Sequence, residues 1–214
     1  MNKQLELIPV PPLKRAFDII ASIIVIVVLS PLILAILILF ALERTVSPAS
    51  RGPLLYTETR ISQGKPFTFY KFRTFKNSSL AHARSNGTIH TKELEQDWRN
   101  MTFTGLILRQ VYLDEFPQLF LVLTGKMSLV GPRPTNPEEY ERGLTGGIRA
   151  KTLLRAGLTG RFQTHKSKKY GLSQETVDME YAEFCRNNPG WRIVLHDMVI
   201  VLQTVITIIR AEGI

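Results

Sequence analysis

The run IIASIIVIVVLSPLILAILILFAL, residues 19–42, holds 24 residues without a formal charge. As a helix it extends roughly 36 Å, enough to cross a hydrocarbon core of about 30 Å. It exceeds the ~7–15-residue apolar core of a signal peptide, so it is expected to remain in the mature protein. Pro31, near the middle, removes the donor for the Val27 carbonyl and crowds that turn. A sharp kink is predicted between arms 19–29 and 32–42, each about 16 Å long. The Ser30 hydroxyl stands where it can satisfy a freed carbonyl.

Positive charge lies on both flanks: Lys3, Lys14 and Arg15 before the run, and Arg44, Arg51, Arg60 and Lys65 after it. A spanning helix normally shows an asymmetry of lysine and arginine across its ends, whereas both ends here favour one face. Two topologies follow. In one the helix bends at Ser30-Pro31 and returns to the same side as a re-entrant hairpin; in the other it is a kinked single span.

Outside this run the chain of 214 residues has room for one domain with a sizeable core, and its 44% apolar content is concentrated at the two ends. The net charge of +9 favours anionic partners such as phospholipid, nucleotide, nucleic acid or a phosphorylated substrate. The single cysteine, Cys185, excludes an intramolecular disulfide and reads as a small semi-buried apolar residue. No internal repeat is present.

Residues 191–210 form a second apolar stretch in which Arg192, His196, Gln203, Thr207 and Arg210 fall on one narrow helical stripe, with Asp197 and Thr204 beside it. This suits an interfacial helix with its apolar side in lipid and equally a core helix. Residues 54–61 and 66–75 read as a β-hairpin joined through Gln63-Gly64-Lys65. Alternation puts Phe67, Phe69, Lys71 and Arg73 on one face, which is either a solvated surface or an anion site. Residues 76–100 read as polar loop or linker. The cluster Thr164-His-Lys-Ser-Lys-Lys-Tyr170 lacks the interleaved aromatics of a single-strand nucleic-acid platform.

The chemistry-bearing stretch is Val111-Tyr-Leu-Asp-Glu-Phe-Pro-Gln118, followed by Met127-Ser-Leu-Val-Gly-Pro-Arg-Pro134. A helix is predicted from Glu115 to Thr124, with Asp114 as N-cap, Pro117 in the first turn and Gly125 as terminator. Asp114 is then a helix cap, but the same positive helix end attracts phosphate and suits an ionised carboxylate that attacks phosphorus. Its neighbour Glu115 points elsewhere and suits a hard cation. Arg109, and Arg133 held between Pro132 and Pro134, are candidate phosphate ligands. A Walker A loop, Cys-x-x-Cys, His-Glu-x-x-His and Asp-x-Asp are all absent.

Taken together, Leu13-Lys-Arg-Ala-Phe-Asp18, Ser30-Pro31, Gly64-Lys-Pro-Phe67, Tyr70-Lys-Phe-Arg-Thr74, Leu108-Arg109, Leu113–Gln118, Met127–Pro134 and Gly157-Leu-Thr-Gly160 resemble the bacterial sugar transferases. These are the monotopic polyprenyl-phosphate phosphoglycosyl transferases, and the match runs in order over residues 13–210. The resemblance implies transfer of a sugar 1-phosphate from a UDP-sugar to polyprenyl (undecaprenyl) phosphate, with release of UMP. It implies Asp114 as nucleophile, Mg²⁺ at Asp114 and Glu115, and Lys71, Arg73, Arg109 and Arg133 as phosphate ligands. It also implies a re-entrant helix, contact with membrane lipid, and a catalytic domain on the cytoplasmic face of the bacterial inner membrane. The chain departs from the family pattern at Leu121, where asparagine is frequent, at Ala156, where proline is frequent, and at Arg161-Phe162.

The expected fold is therefore α+β and mainly helical. It comprises an N-terminal segment 1–15, a Ser-Pro-kinked helix-break-helix 16–44, and a compact cytosolic catalytic domain 45–214. That domain carries the small hairpin and interfacial amphipathic helices, including 191–210, and corresponds to the minimal enzyme unit. No nucleic-acid partner is expected, and a homo-oligomer is compatible with the sequence. The alternative, a non-catalytic basic membrane-surface protein binding anionic lipid or nucleic acid, has no need for two acids beside a helix start and a Pro-flanked arginine.

Overall fold

The computed structural model describes residues 6–85, 94, 97–164 and 171–209. Lys3, the Asn-Gly-Thr end of the 85–88 stretch, residues 165–170 of the basic cluster and Arg210 lie outside the described residues. In chain order the elements are α1 (Pro12–Val46), β1 (Leu55–Ser62), β2 (Lys65–Phe72), α2 (Asn77–Ser85), α3 (Phe103–Gln110), α4 (Gln118–Leu123) and β3 (Ser128–Val130). They continue as α5 (Pro137–Thr145), α6 (Ala150–Leu153), β4 (Gly157–Thr159), α7 (Arg161–Thr164), α8 (Gln174–Asn187) and α9 (Gly190–Ile209). The chain is mainly helical, as expected.

The elements pack as two units, one of Met1–Ile24, Glu58–Phe69 and Gln118–Ile214, the other of Val25–Thr57 and Tyr70–Pro117. This division falls within α1 and within the hairpin.

The helix α1 is long and apolar enough to cross a membrane, and only 17% of its most apolar window is buried, which separates it from a core helix. Its backbone stays helical through Pro31, so the expected break is not an interruption of the helix. The Ser30 hydroxyl donates to the Val27 carbonyl at 2.8 Å, replacing the bond that Pro31 cannot make. Strands β1 and β2 form the expected hairpin. Its two-residue turn, Gln63-Gly64, has φ of 49° and 71°, the positive pair that a tight hairpin of this hand requires.

In the first unit, β3 and β4 pair in parallel, Ser128 opposite Gly157 and Val130 opposite Thr159. Three-residue strands carry too little periodicity to be read from sequence, and this pair was not among the expectations. Gly131 and Gly157 permit the approach: a Cβ on Gly157 would stand 2.1 Å from the Gly131 nitrogen. The buried residues of this unit include Leu119, Val122, Met127, Leu153, Tyr181, Ile193 and Ile200. Gly125 ends α4 as expected, with φ of 77° and the Lys126 N–H donating to the Leu121 carbonyl at 3.0 Å.

The start of α1 enters this unit through polar groups. Lys14 donates to Asp197 and, at 3.3 Å, to the Val130 carbonyl. Asp18 accepts from the Ser128 hydroxyl at 2.7 Å, and Arg15 grips the Val122 and Leu123 carbonyls, each at 2.6 Å. Lys14 and Arg15, read from sequence as flanking charges, are here structural donors. In α9, Ile193, Asp197 and Ile200 face inward while Trp191, Leu195, Met198, Val199 and Leu202 are exposed. The outward side is the apolar one.

In the second unit, Phe75, Leu80 and Met101 form a small core. The stretch 76–100, expected to be loop, contains α2, whose Leu80 is buried in this core. A bridge pairs Phe75 with Met101, bringing the start of α3 against the end of the hairpin.

Candidate active site

The acids of interest belong to the second unit, and their position follows from α3. Thr102 caps that helix, its hydroxyl accepting from the Gly105 N–H at 3.0 Å. Gly105 lets α3 lie directly on the chain at Thr74, because a Cβ there would stand 2.1 Å from the Thr74 carbonyl oxygen. At the far end of α3 the backbone turns at Tyr112, whose φ of 56° lies in the left-handed region rarely adopted by a non-glycine residue. A 3-10 turn, Leu113–Glu115, follows at once. Phe116, next in sequence, stacks on Phe72 of β2 with centroids 6.5 Å apart and an interplanar angle of 3°.

This path brings Asp114 to Lys71. The Lys71 Nζ lies 3.8 Å from Asp114 Oδ2, with the two side chains 16% and 11% exposed. Glu115 is half-buried beside it. Arg109, in the last turn of α3, is exposed and reaches the Met101 sulfur with Nη1 at 3.7 Å. Asp114 is not the cap of α4, which begins only at Gln118; both acids lie within the 3-10 turn that follows Tyr112, and Phe116 and Pro117 separate that turn from the helix.

Arg73 departs from the role expected of it. It is fully buried, and its guanidinium donates to the carbonyls of Pro53 at 2.8 Å, Phe75 at 2.6 Å and Ser50 at 2.6 Å. The Phe40 ring lies 5.5 Å from its Cζ. With these donors committed to backbone, Arg73 is a structural clamp and is withdrawn from the phosphate-ligand set. Strand β2 ends at Phe72, so the alternation that put Arg73 beside Lys71 does not extend that far.

Arg133 belongs to the other unit. It is exposed between buried Pro132 and Pro134, on a segment fixed by Gly131 N–H to the Thr159 carbonyl and Gly157 N–H to the Pro132 carbonyl, both 2.9 Å.

The carboxylate of this turn and the Lys71 ammonium of β2 beside it can together receive a phosphoryl group, the acid as nucleophile and the amine as a charge partner for its oxygens. The described residues contain no cluster of three or more metal-ligating side chains. Two hard carboxylates in sequence nonetheless suit Mg²⁺, which usually binds through one or two carboxylates together with substrate phosphates.

The family model described as Bacterial sugar transferase matches residues 10–211. The chain is 32% identical over 210 residues to the undecaprenyl-phosphate galactose phosphotransferase of Salmonella typhimurium, covering 94% of this chain and 41% of that protein. It is 36% identical over 175 residues to the UDP-glucose:undecaprenyl-phosphate glucose-1-phosphate transferase of Escherichia coli, covering 80% and 34%. With the exopolysaccharide production protein ExoY of Sinorhizobium fredii it shares 32% identity over 214 residues, covering 94% and 87%. The chain thus spans less than half of the first two relatives and most of the third. A match along nearly its whole length, with the Asp-Glu turn and the Pro-flanked arginine inside it, means that the chain belongs to the bacterial sugar transferase family.

Proposed function

We propose that this chain transfers a sugar 1-phosphate from a UDP-sugar to undecaprenyl phosphate, releasing UMP and starting a glycoconjugate on its lipid carrier. The observation that carries the reading is the Lys71–Asp114 pair at 3.8 Å on a turn held by α3 and β2. Support comes also from relatives whose names describe undecaprenyl-phosphate sugar phosphotransferases.

The reaction runs in two displacements. An Asp114 carboxylate oxygen attacks the sugar-bearing phosphorus of the UDP-sugar, and the bond from that phosphorus to the bridging oxygen breaks. UMP leaves with that oxygen. A phosphate oxygen of undecaprenyl phosphate then attacks the phosphorus of the phosphosugar-aspartate, forming the lipid diphosphosugar and freeing the Asp114 carboxylate. Lys71 and Arg109 bind phosphate oxygens on the Asp114 side, and Arg133 takes the phosphate-binding role its rigid mounting suits. Asp114 and Glu115 would hold Mg²⁺, which when bound offsets negative charge on the diphosphate.

In the proposed setting α1, a continuous helix bent at Ser30-Pro31, sits in the inner membrane with both ends toward its cytoplasmic face, and the outward apolar side of α9 rests in lipid. The direct test is UMP release from UDP-glucose, UDP-galactose and UDP-N-acetylgalactosamine, with and without undecaprenyl phosphate, using detergent-solubilised full chain. The expected result, from at least one donor, is multiple-turnover release that requires the lipid, with about one UMP per enzyme at most in its absence. Retention of anionic-lipid binding with no release from any of the three would overturn the reading.

A further inference from the structure

The carboxylate of Glu43, in the last turn of α1, accepts four hydrogen bonds. Its Oε1 takes the Phe103 N–H at 2.8 Å and the Ser50 hydroxyl at 2.7 Å, and its Oε2 takes the Thr104 N–H at 2.9 Å and the Thr104 hydroxyl at 2.6 Å. Four bonds use essentially the whole acceptor capacity of one carboxylate. Two of them go to the first N–H groups of α3, donors that no intrahelical carbonyl can serve and that lie at the positive end of the helix.

The same eight-residue helix, Phe103–Gln110, ends at the left-handed Tyr112 and the turn bearing Asp114. Its middle cannot slide, since Gly105 abuts Thr74 and Leu108 is 1% exposed. With its middle held, the helix tilts about that point when its start is displaced, and the tilt moves its end. Ser50 extends the anchor, because its carbonyl accepts from Arg73, which also holds Phe75 just beyond the strand of Lys71. Glu43 thus holds both supports of the Lys71–Asp114 pair, α3 directly and the end of β2 through Ser50 and Arg73.

We infer that Glu43 is a positioning residue: it fixes the terminal turn of the apolar helix to the helix that aims Asp114, without touching substrate. The inference rests on the proposed phosphoglycosyl transfer only for its catalytic readout. A support of the reacting groups displaced by about 1 Å can cost up to about a hundredfold in rate.

The test compares full-length wild type with Glu43→Gln, which keeps the shape but loses the charge and part of the acceptor capacity, and with Thr104→Val and Thr104→Ser. Two quantities are read: amide hydrogen exchange over residues 111–116, and kcat and KM for UMP release from the best of the three UDP-sugars. The expected result for Glu43→Gln and Thr104→Val is exchange at 111–116 faster by about tenfold, kcat lower by about tenfold or more, and KM within about twofold. Thr104→Ser, which keeps the hydroxyl, should return both readouts to wild type. Exchange at 111–116 unchanged in Glu43→Gln overturns the inference, whatever kcat does. Faster exchange with wild-type kcat overturns it too. If wild type releases no UMP from any donor, the functional reading fails while exchange at 111–116 still decides whether Glu43 positions the turn.

Discussion

Lys14 and Asp197, 183 positions apart, form a buried ion pair that ties the first turn of α1 to the inward face of α9. Asp197 also accepts from the Tyr181 hydroxyl at 2.7 Å, and Lys14 lies 3.8 Å from Asp18. Removing one member leaves an opposite charge buried among groups already committed. Lys14→Met and Asp197→Asn should each destabilise the protein by about 3–5 kcal/mol, read from denaturant midpoints in detergent. The double variant Lys14→Met/Asp197→Asn should lose less than the sum, because neither charge is then stranded.

Arg73 makes a second structural claim testable. Its three carbonyl partners would be left unserved in Arg73→Met, costing about 3 kcal/mol or more. Arg73→Lys should recover little, since one ammonium cannot reproduce the planar fork that reaches Ser50, Pro53 and Phe75 together. A phosphate ligand would behave differently: stability would hold and KM for the UDP-sugar would rise.

A pH dependence follows from Asp178 on α8. Burial pushes its carboxyl up to about 7 from 3.8, against the lowering effects of the Gln174 amide and the Lys151 ammonium. Lys151 is itself lowered by burial, against the raising effects of Asp178, Glu139 and Glu175. The folded chain holds the Asp178 proton more tightly than the unfolded chain. Its contribution is complete below the unfolded value of 3.8 and is lost as pH rises to about 7. The upper bound is on the order of 4 kcal/mol. Urea midpoints of wild type should therefore fall between pH 5 and pH 8 more than those of Asp178→Asn, and the variant should be the more stable protein at pH 8.

What could be read ahead of the structure was whatever local chemistry decides. An uncharged run interrupted by Pro31 specifies α1, Gly64 specifies the hairpin turn, and Gly125 specifies the end of α4. Partners distant in sequence could not be read. Lys14 and Arg15 look like flanking charges until Asp197 and the carbonyls of Val122 and Leu123 are found beside them. Arg73 was placed with Lys71 by a period of two that stops one residue too soon. Asp114 was read as a cap because Tyr112 carries no signal, such as glycine, that the backbone turns there. The structure brings Lys71 within 3.8 Å of Asp114, whereas the anchoring by Glu43 depends on a contact 61 positions away that no local pattern signals.

Asp114 as nucleophile is the central claim, and a mass measurement on the protein itself tests it most directly. Full-length enzyme is incubated with Mg²⁺ and a UDP-sugar that supports turnover, without undecaprenyl phosphate, then digested and analysed by mass spectrometry. The account predicts a sugar-phosphate adduct on the peptide containing Asp114, lost on addition of the lipid and absent from Asp114→Asn, which also releases no UMP. Turnover by Asp114→Asn near the wild-type rate, or an adduct on any other residue, would contradict it.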